Sequence, residues 1–240
     1  MLPKNRAFLA GLIAATALPA GAVTIDNFTQ GTYALTANSI MPAVEAVRTG
    51  STSAIAGGQR DALLRWFSGP LNVSAIVTGG AAQFFNSDSQ TAGGLVLQYD
   101  GFDGEVEDGV LNNGSNLGLN LAGDDGIELR FRFLEAGLAG GMSILTTIQS
   151  AQGTASHTSF AANGTNFNHF IAFSNFAGVD FTTVQRIQFE FTGTQATDFT
   201  LTGIFTMPSG SGGGDVIPGP AAVLPFAAGV FAALRKRRQR

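Results

Sequence analysis

The chain has no cysteine in its 240 residues, so no disulfide holds it together and no thiolate is available as nucleophile or metal ligand. Histidine is nearly as scarce, with only His157 and His169. Two separated imidazoles fall short of the three or four N/S ligands that zinc takes, and neither sits in a nucleophile frame. There is no G-x-S-x-G elbow, and the two lysines, Lys4 and Lys236, lie at the extreme ends, which leaves no Ser-Lys dyad in the body. Large polar aromatics are also few: one tryptophan, Trp66, and two tyrosines, Tyr33 and Tyr99, against twenty phenylalanines. Trp66 follows Leu63 and Leu64 and precedes Phe67, a setting that predicts burial. The phenylalanines fall mostly on inward phases, and this weakens a lectin reading, because sugar faces stack on exposed rings.

The ends account for most of the positive charge. Met1 to Arg6 carries Lys4 and Arg6, Ala7 to Leu18 is almost wholly apolar, and Ala20-Gly21-Ala22 supplies small residues for a signal peptidase. Residues 1–22 are therefore expected to be a signal helix cut after Ala22. Of the 13 basic residues, two lie in this leader and five follow Leu234, which leaves six arginines against the 16 acids found between Asp26 and Asp198. The body is thus near −10 and lysine-free, which argues against nucleic acid and anionic lipid as partners. At about 185 residues it is long enough to build a core without covalent staples.

Between Val23 and Met207 the dominant period is two. Ile127-Glu128-Leu129-Arg130-Phe131-Arg132-Phe133 sets four apolar side chains against three charged ones, and Arg186 to Thr192 repeats this with Ile187, Phe189 and Phe191 inward. Leu95, Leu97 and Tyr99 alternate likewise, as do Phe199 and Leu201. Further strands are expected over 23–28, 71–78, 142–150, 156–161 and 169–173. The separators form turns: GG at 57, 79, 93 and 140, NNG at 112, DDG at 124 and NG at 163. Many short strands joined this way predict an all-β fold, a two-sheet antiparallel β-sandwich over 23–207, with helix expected only near Met41–Arg48 and Arg60–Phe67. Phe167, Phe170, Phe173 and Phe176, spaced by three, read as core anchors on a strand and its exit loop.

The densest polar feature is D-G-F-D-G-E-V-E-D over 100–108, followed by Asp124-Asp125-Gly126. A solvated acidic loop is the plain reading. Calcium on Asp100, Asp103, Glu105 and Asp108 is a second, since hard cations take oxygen ligands from Gly-rich loops, although the spacing is not that of an EF-hand. A glycan hydrolase using carboxylates between Asp100 and Asp125 is a third.

After a Gly/Ser linker at 208–215 comes VIPGPAAVLPFAAGVFAALRKRRQR, residues 216–240: a proline-marked start, an apolar run over 221–234 and a basic end over 235–240. Its length is near the lower limit for a bilayer span, with Arg235, Lys236, Arg237 and Arg238 holding the cytoplasmic side. The segment resembles the PEP-CTERM sorting tail of Gram-negative bacteria, with Val216, Pro218 and Pro220 in the place of its proline motif. Gly219 stands where that motif carries Glu. The resemblance implies a C-terminal membrane helix, recognition by an exosortase-type enzyme, and delivery to the cell surface or extracellular matrix. It also implies a structural or adhesive role linked to exopolysaccharide or biofilm, and the missing catalytic constellations add the expectation that the protein is not an enzyme. The run from Phe170 through IAFSNFAGVDFTTVQRIQFEF to Leu201 is similar to the closing strands of galactose-binding-like jelly rolls. That similarity implies the alternative function, a carbohydrate-binding module for a surface polysaccharide.

Overall fold

The computed structural model describes residues 21–210, apart from 87, 104–106 and 113. In chain order the strands are β1 (Thr24–Asp26), β2 (Tyr33–Ala37), β3 (Ala43–Thr49), β4 (Gln59–Ser68), β5 (Val73–Thr78), β6 (Ala81–Asn86), β7 (Ala92–Tyr99), β8 (Asp124–Ala136), β9 (Gly141–Ser150), β10 (Thr154–Ala162), β11 (Gly164–Ala172), β12 (Val184–Thr192) and β13 (Thr197–Pro208). They pair antiparallel into a sandwich of two sheets. One sheet has seven strands in the order β11-β8-β13-β6-β5-β2, with β1 added on β13; the other has six, β10-β9-β12-β7-β4-β3. The core runs from Ile25 to Ile204 and closes on itself. Its centre is aromatic: Phe191 of the six-stranded sheet meets Phe199 of the seven-stranded sheet at 5.2 Å between ring centroids, and Phe84 stacks on Phe199 at 5.2 Å.

A buried polar clamp ties the sheets together. Asp26 on β1 and Arg60 on β4 have fully buried side chains and pair at 2.6 Å. Tyr99 on β7 donates its hydroxyl to the same carboxylate at 2.9 Å, and the Phe28 N–H donates to the other oxygen at 2.7 Å. That last bond holds Phe28 at φ 55, an uncommon conformation for a large residue. Arg60 also donates to the Gln30 and Gly31 carbonyls and lies 5.6 and 5.4 Å from the Phe28 and Tyr33 ring centroids. The two Arg60 terminal nitrogens and both Asp26 oxygens are thus met by partners, as a buried pair requires, while the buried Arg60 Nε and Tyr33 hydroxyl have no hydrogen-bond partner.

Several sequence expectations change in the structure. The helices expected at Met41–Arg48 and Arg60–Phe67 are strands β3 and β4. Strand β4 misleads because Ala62 and Leu64 face the core while Asp61 and Leu63, on the opposite face, are buried too. A strand covered on both sides loses its alternation. The phase in β8 flips after Phe131: Leu134 and Ala136 are buried and Phe133 is half-buried. Thr200 pairs Phe133 and Leu201 pairs Phe131, so Arg132 is an extra residue at a β-bulge. Gly79 and Gly80, at φ 58 and 82, do form the β5–β6 hairpin turn. By contrast, Gly93 and Gly94 lie inside β7 and Asp124-Asp125-Gly126 opens β8. A Cβ at Gly93 would meet the Arg65 carbonyl at 2.6 Å, so the glycine marks close approach within the sheet. Of the four spaced phenylalanines, Phe173 and Phe176 are core residues, whereas Phe170 is 43% exposed. Among the described residues no helix is long and apolar enough to cross a membrane. The signal helix with Ala20 and the tail from Val216 to Arg240 lie outside the described residues.

Candidate functional site

The two faces of the six-stranded sheet differ sharply in use. The inner face carries Ala62, Leu64, Leu95, Leu97, Ile187, Phe189 and Phe191 into the core. The outer face is set by register. One row across it runs Ala43, Arg65, Gly94, Thr192, Ser143 and Phe160; the next runs Glu45, Leu63, Val96, Glu190, Leu145 and Thr158; the third runs Val47, Asp61, Gln98, Gln188, Thr147 and Ser156.

The segment after β7 folds back over the Glu45 and Val47 rows of this face on β3, β4 and β7, and leaves Phe67 and its ring over Gly94 outside the cover. The Asp108 and Gly109 N–H groups donate to Glu45 at 2.9 and 2.8 Å, and the Val47 N–H donates to Glu107 at 3.1 Å. Gln98 donates to the Asn112 carbonyl at 2.9 Å and to Asp100 at 2.8 Å, while Gln59 donates to Asp103 and Asp61, both at 3.1 Å. Asp61 and Asp100 are fully buried beneath this cover. The acidic run is thus solvated only in part: Glu107 and Asp108 are exposed and Asp103 is half-buried, while Asp100 is fully buried. Burial pushes the Asp100 carboxyl above the usual range and the Asp103 charge adds to the rise, while hydrogen bonds with Asp61 and Gln98 and the charge of Arg186 pull it down. Burial likewise lowers the Arg186 guanidinium, opposed by Asp100.

The four expected calcium ligands are not brought together. Asp100 and Asp103 converge on Gly114, which has room for no Cβ. The Asp108 carboxylate instead accepts the Val110 N–H in an exposed turn, and Glu105 lies outside the described residues. Among the described residues no group of three or more imidazoles and carboxylates is arranged to hold a metal ion. Asp124 and Asp125 open β8 in the other sheet. Asp61 and Asp100 have no exposed surface for a substrate to reach. His169 on β11 meets the Ser159 hydroxyl at 2.8 Å, and burial lowers its pKa; His157 lies edge-on to Phe176 at 6.1 Å.

The uncovered half of the outer face has the features a sugar needs. Phe160 is 58% exposed and its ring fills the place of a Cβ on Gly141, 2.5 Å from that ideal position. Phe67 is 43% exposed and its ring lies across Gly94 in the same way, at 3.0 Å. The missing Cβ lets each ring settle against the sheet and present its other side to solvent. The host glycines are two strands and one two-residue step apart, about 12 Å, roughly the reach of two sugar rings. Between the rings lie Thr192 and Ser143; the Arg65–Glu190 pair at 3.4 Å and Thr158 border them one row on, and Thr147, bonded to Ser156 at 2.8 Å, lies a further row away. Fixed rings flanked by short polar side chains suit a ligand with apolar faces and a hydroxyl rim.

The other sheet offers less. Phe170 packs over Gly126 and is 43% exposed, but Phe205 already carries the Arg130 guanidinium 4.2 Å above its ring. A cleft of about 700 Å³ lined by Ser89, Ala92, Gly137, Ala139, Thr194, Gln195 and Ala196 contains no ring to stack on. Trp66 is only half-buried, short of the burial its sequence setting predicts: it packs against the edge of the core and donates its indole N–H to the Leu71 carbonyl at 3.1 Å. What sequence reading missed was Phe67 and Phe160; the signal was a glycine across the strand from each, visible only once register is known.

No family model and no curated protein matches the sequence. Among solved structures, the agarase AgWH50C aligns at 9% identity and TM-score 0.39, covering 60% of this chain and 22% of the agarase, so the chain spans about a fifth of that enzyme. The family 11 carbohydrate-binding module of the cellulosomal cellulase Lic26A-Cel5E of Clostridium thermocellum aligns at 12% identity and TM-score 0.36, covering 79% of this chain and 95% of the module. A carbohydrate-binding module specific for non-crystalline cellulose, CBM28, gives 14% and 0.33 over 78% and 92%. Likenesses this slight do not bear on what the present chain binds.

Proposed function

We propose that this protein is an exported glycan-binding β-sandwich, which holds a polysaccharide chain across the uncovered half of its six-stranded sheet. The observation that carries the reading is the pair of solvent-facing rings, Phe67 and Phe160, each seated on a glycine, with hydroxyls between them and one ion pair beside them. Neutral glycans fit better than acidic ones, because the body is near −10. The reading needs no turnover: stacking and hydrogen bonding retain the polymer, and the protein serves as a structural or adhesive link. Retention on purified exopolysaccharide tests it. Phe160→Ala and Phe67→Ala are each expected to weaken binding about fivefold or more, the equivalent of roughly 1 kcal/mol. Absence of retention on every glycan offered removes the reading.

Delivery is the second part of the proposal. The leader ending at Ala20 and Ala22 and the tail with Val216, Pro218, Pro220 and the cations Arg235 to Arg238 support export through the signal peptidase and sorting at the inner membrane by an exosortase-type enzyme. The folded body is then left at the cell surface or in the matrix. Mass spectrometry of the mature C-terminus tests this: the tail is expected to be absent in cells that have the sorting enzyme and present in cells without it, and an identical C-terminus in both overturns it.

A further inference from the structure

Among the described residues four strands end the two sheets, besides the three-residue β1 laid on β13, and three of the four are protected from pairing with other chains. Strand β2 has only five residues. Strand β3 carries Glu45 and Arg48, and its Val47 N–H is already taken by Glu107 of the covering segment. Strand β11 is broken by Asn166 at φ 50, and the Asn166–Arg132 step drops out of the ladder with β8. Strand β10 has none of these devices. It pairs β9 over nine consecutive residues, Thr154 to Ala162, with no shift, and TASHTSFAA contains neither charge nor proline. It also sits in a segment, residues 136–179, without a single Asp, Glu, Lys or Arg, in a body that is otherwise near −10.

We infer that β10 is a self-association edge, and that its occupant is β10 of a second copy of this chain, paired antiparallel about Thr158. The charge distribution is compatible with that partner, because two acidic bodies that meet along this margin set no like charges against each other. The strand is compatible with itself in that register. Ser156 faces Phe160 of the other copy, His157 faces Ser159, and no like charges meet. The unpaired N–H and C=O groups of each edge satisfy one another, and the two six-stranded sheets continue into one. Both copies' Phe160 rings then share a continuous outer face. This inference is independent of the glycan reading, since it needs no ligand and is tested without one.

Residues 23–210 contain all the core found among the described residues and serve for the test. Sedimentation velocity is expected to show a concentration-dependent monomer–dimer equilibrium, and hydrogen exchange an added protection of β10 amides as dimer forms. Thr158→Lys sets two ammonium groups opposite each other across the two-fold, and Thr158→Glu sets two carboxylates there. Each alone is expected to weaken dimerisation at least about tenfold, and an equal mixture of the two restores it. Thr49→Lys on β3 leaves it unchanged. A wild-type body that stays monomeric at concentrations on the order of 100 μM overturns the inference. So does a Thr158→Lys variant that dimerises as tightly as wild type, or a mixture that fails to recover.

Discussion

Removing the Asp26 carboxylate gives the most quantitative test of how the sheets are held. Asp26→Ala leaves the Arg60 guanidinium, the Tyr99 hydroxyl and the Phe28 N–H without their shared acceptor in a region with no solvent access. Breaking one side of a buried pair costs about 3–5 kcal/mol. The guanidinium keeps the Gln30 and Gly31 carbonyls and two ring faces, which argues for the middle of that range, about 4 kcal/mol. For a chain of this size each kcal/mol lowers Tm by about 2–4 °C, so the expected fall is about 8–16 °C. Urea unfolding of both proteins, with m-values compared, measures it. The double variant Asp26→Leu with Arg60→Met removes both charges and is expected to lose less than the single one. A loss below about 1 kcal/mol for Asp26→Ala, or a double variant worse than the single, refutes the account of the clamp.

Three further outcomes follow from other groups. His169 is held neutral by burial, so below its ordinary pKa of about 6.5 the unfolded chain binds a proton that the folded one resists, and stability falls as pH drops. His169→Gln is expected to flatten this acid slope in urea titrations between neutral pH and about pH 5; an unchanged slope counts against it. Asp100 has the opposite sign: its folded pKa is raised, so its contribution is full below about 3.8 and is lost as pH rises through the folded value. Asp100→Asn should therefore raise Tm at neutral pH, with the gain shrinking toward acid, and a lower neutral Tm contradicts this. Trp66→Phe removes the bond to Leu71, costs about 0.5–1.5 kcal/mol and leaves glycan retention unchanged; lost retention would put the site elsewhere.

The strands with one wet face were legible from sequence because burial on one side writes itself as alternation. Strand β12 is the clear case, with Ile187, Phe189 and Phe191 fully buried as their spacing implies. Strand β4 was not legible, because the covering segment hides Asp61 and Leu63 from water and erases the pattern. The same segment explains why an acidic run that looks solvated holds a fully buried Asp100: Gln98, two residues before it, is a local partner, but Asp61, and Gln59 that holds Asp103, lie on β4, far back in the chain. The glycan face was illegible for a related reason. Phe160 and Gly141 are joined only through the β9–β10 ladder, and Phe67 reaches Gly94 through the β4–β7 ladder. Exposed phenylalanine in sequence is indistinguishable from core phenylalanine until register places it.

The glycan face is tested most directly by comparing three single substitutions in one affinity measurement on the producing cell's own exopolysaccharide. Phe160→Ala and Phe67→Ala remove rings from the proposed face, and Phe170→Ala removes a ring of similar exposure from the opposite sheet. The account predicts that the first two lose about fivefold or more in affinity while Phe170→Ala binds as wild type does. Equal binding by all four proteins, or a loss confined to Phe170→Ala, would contradict it.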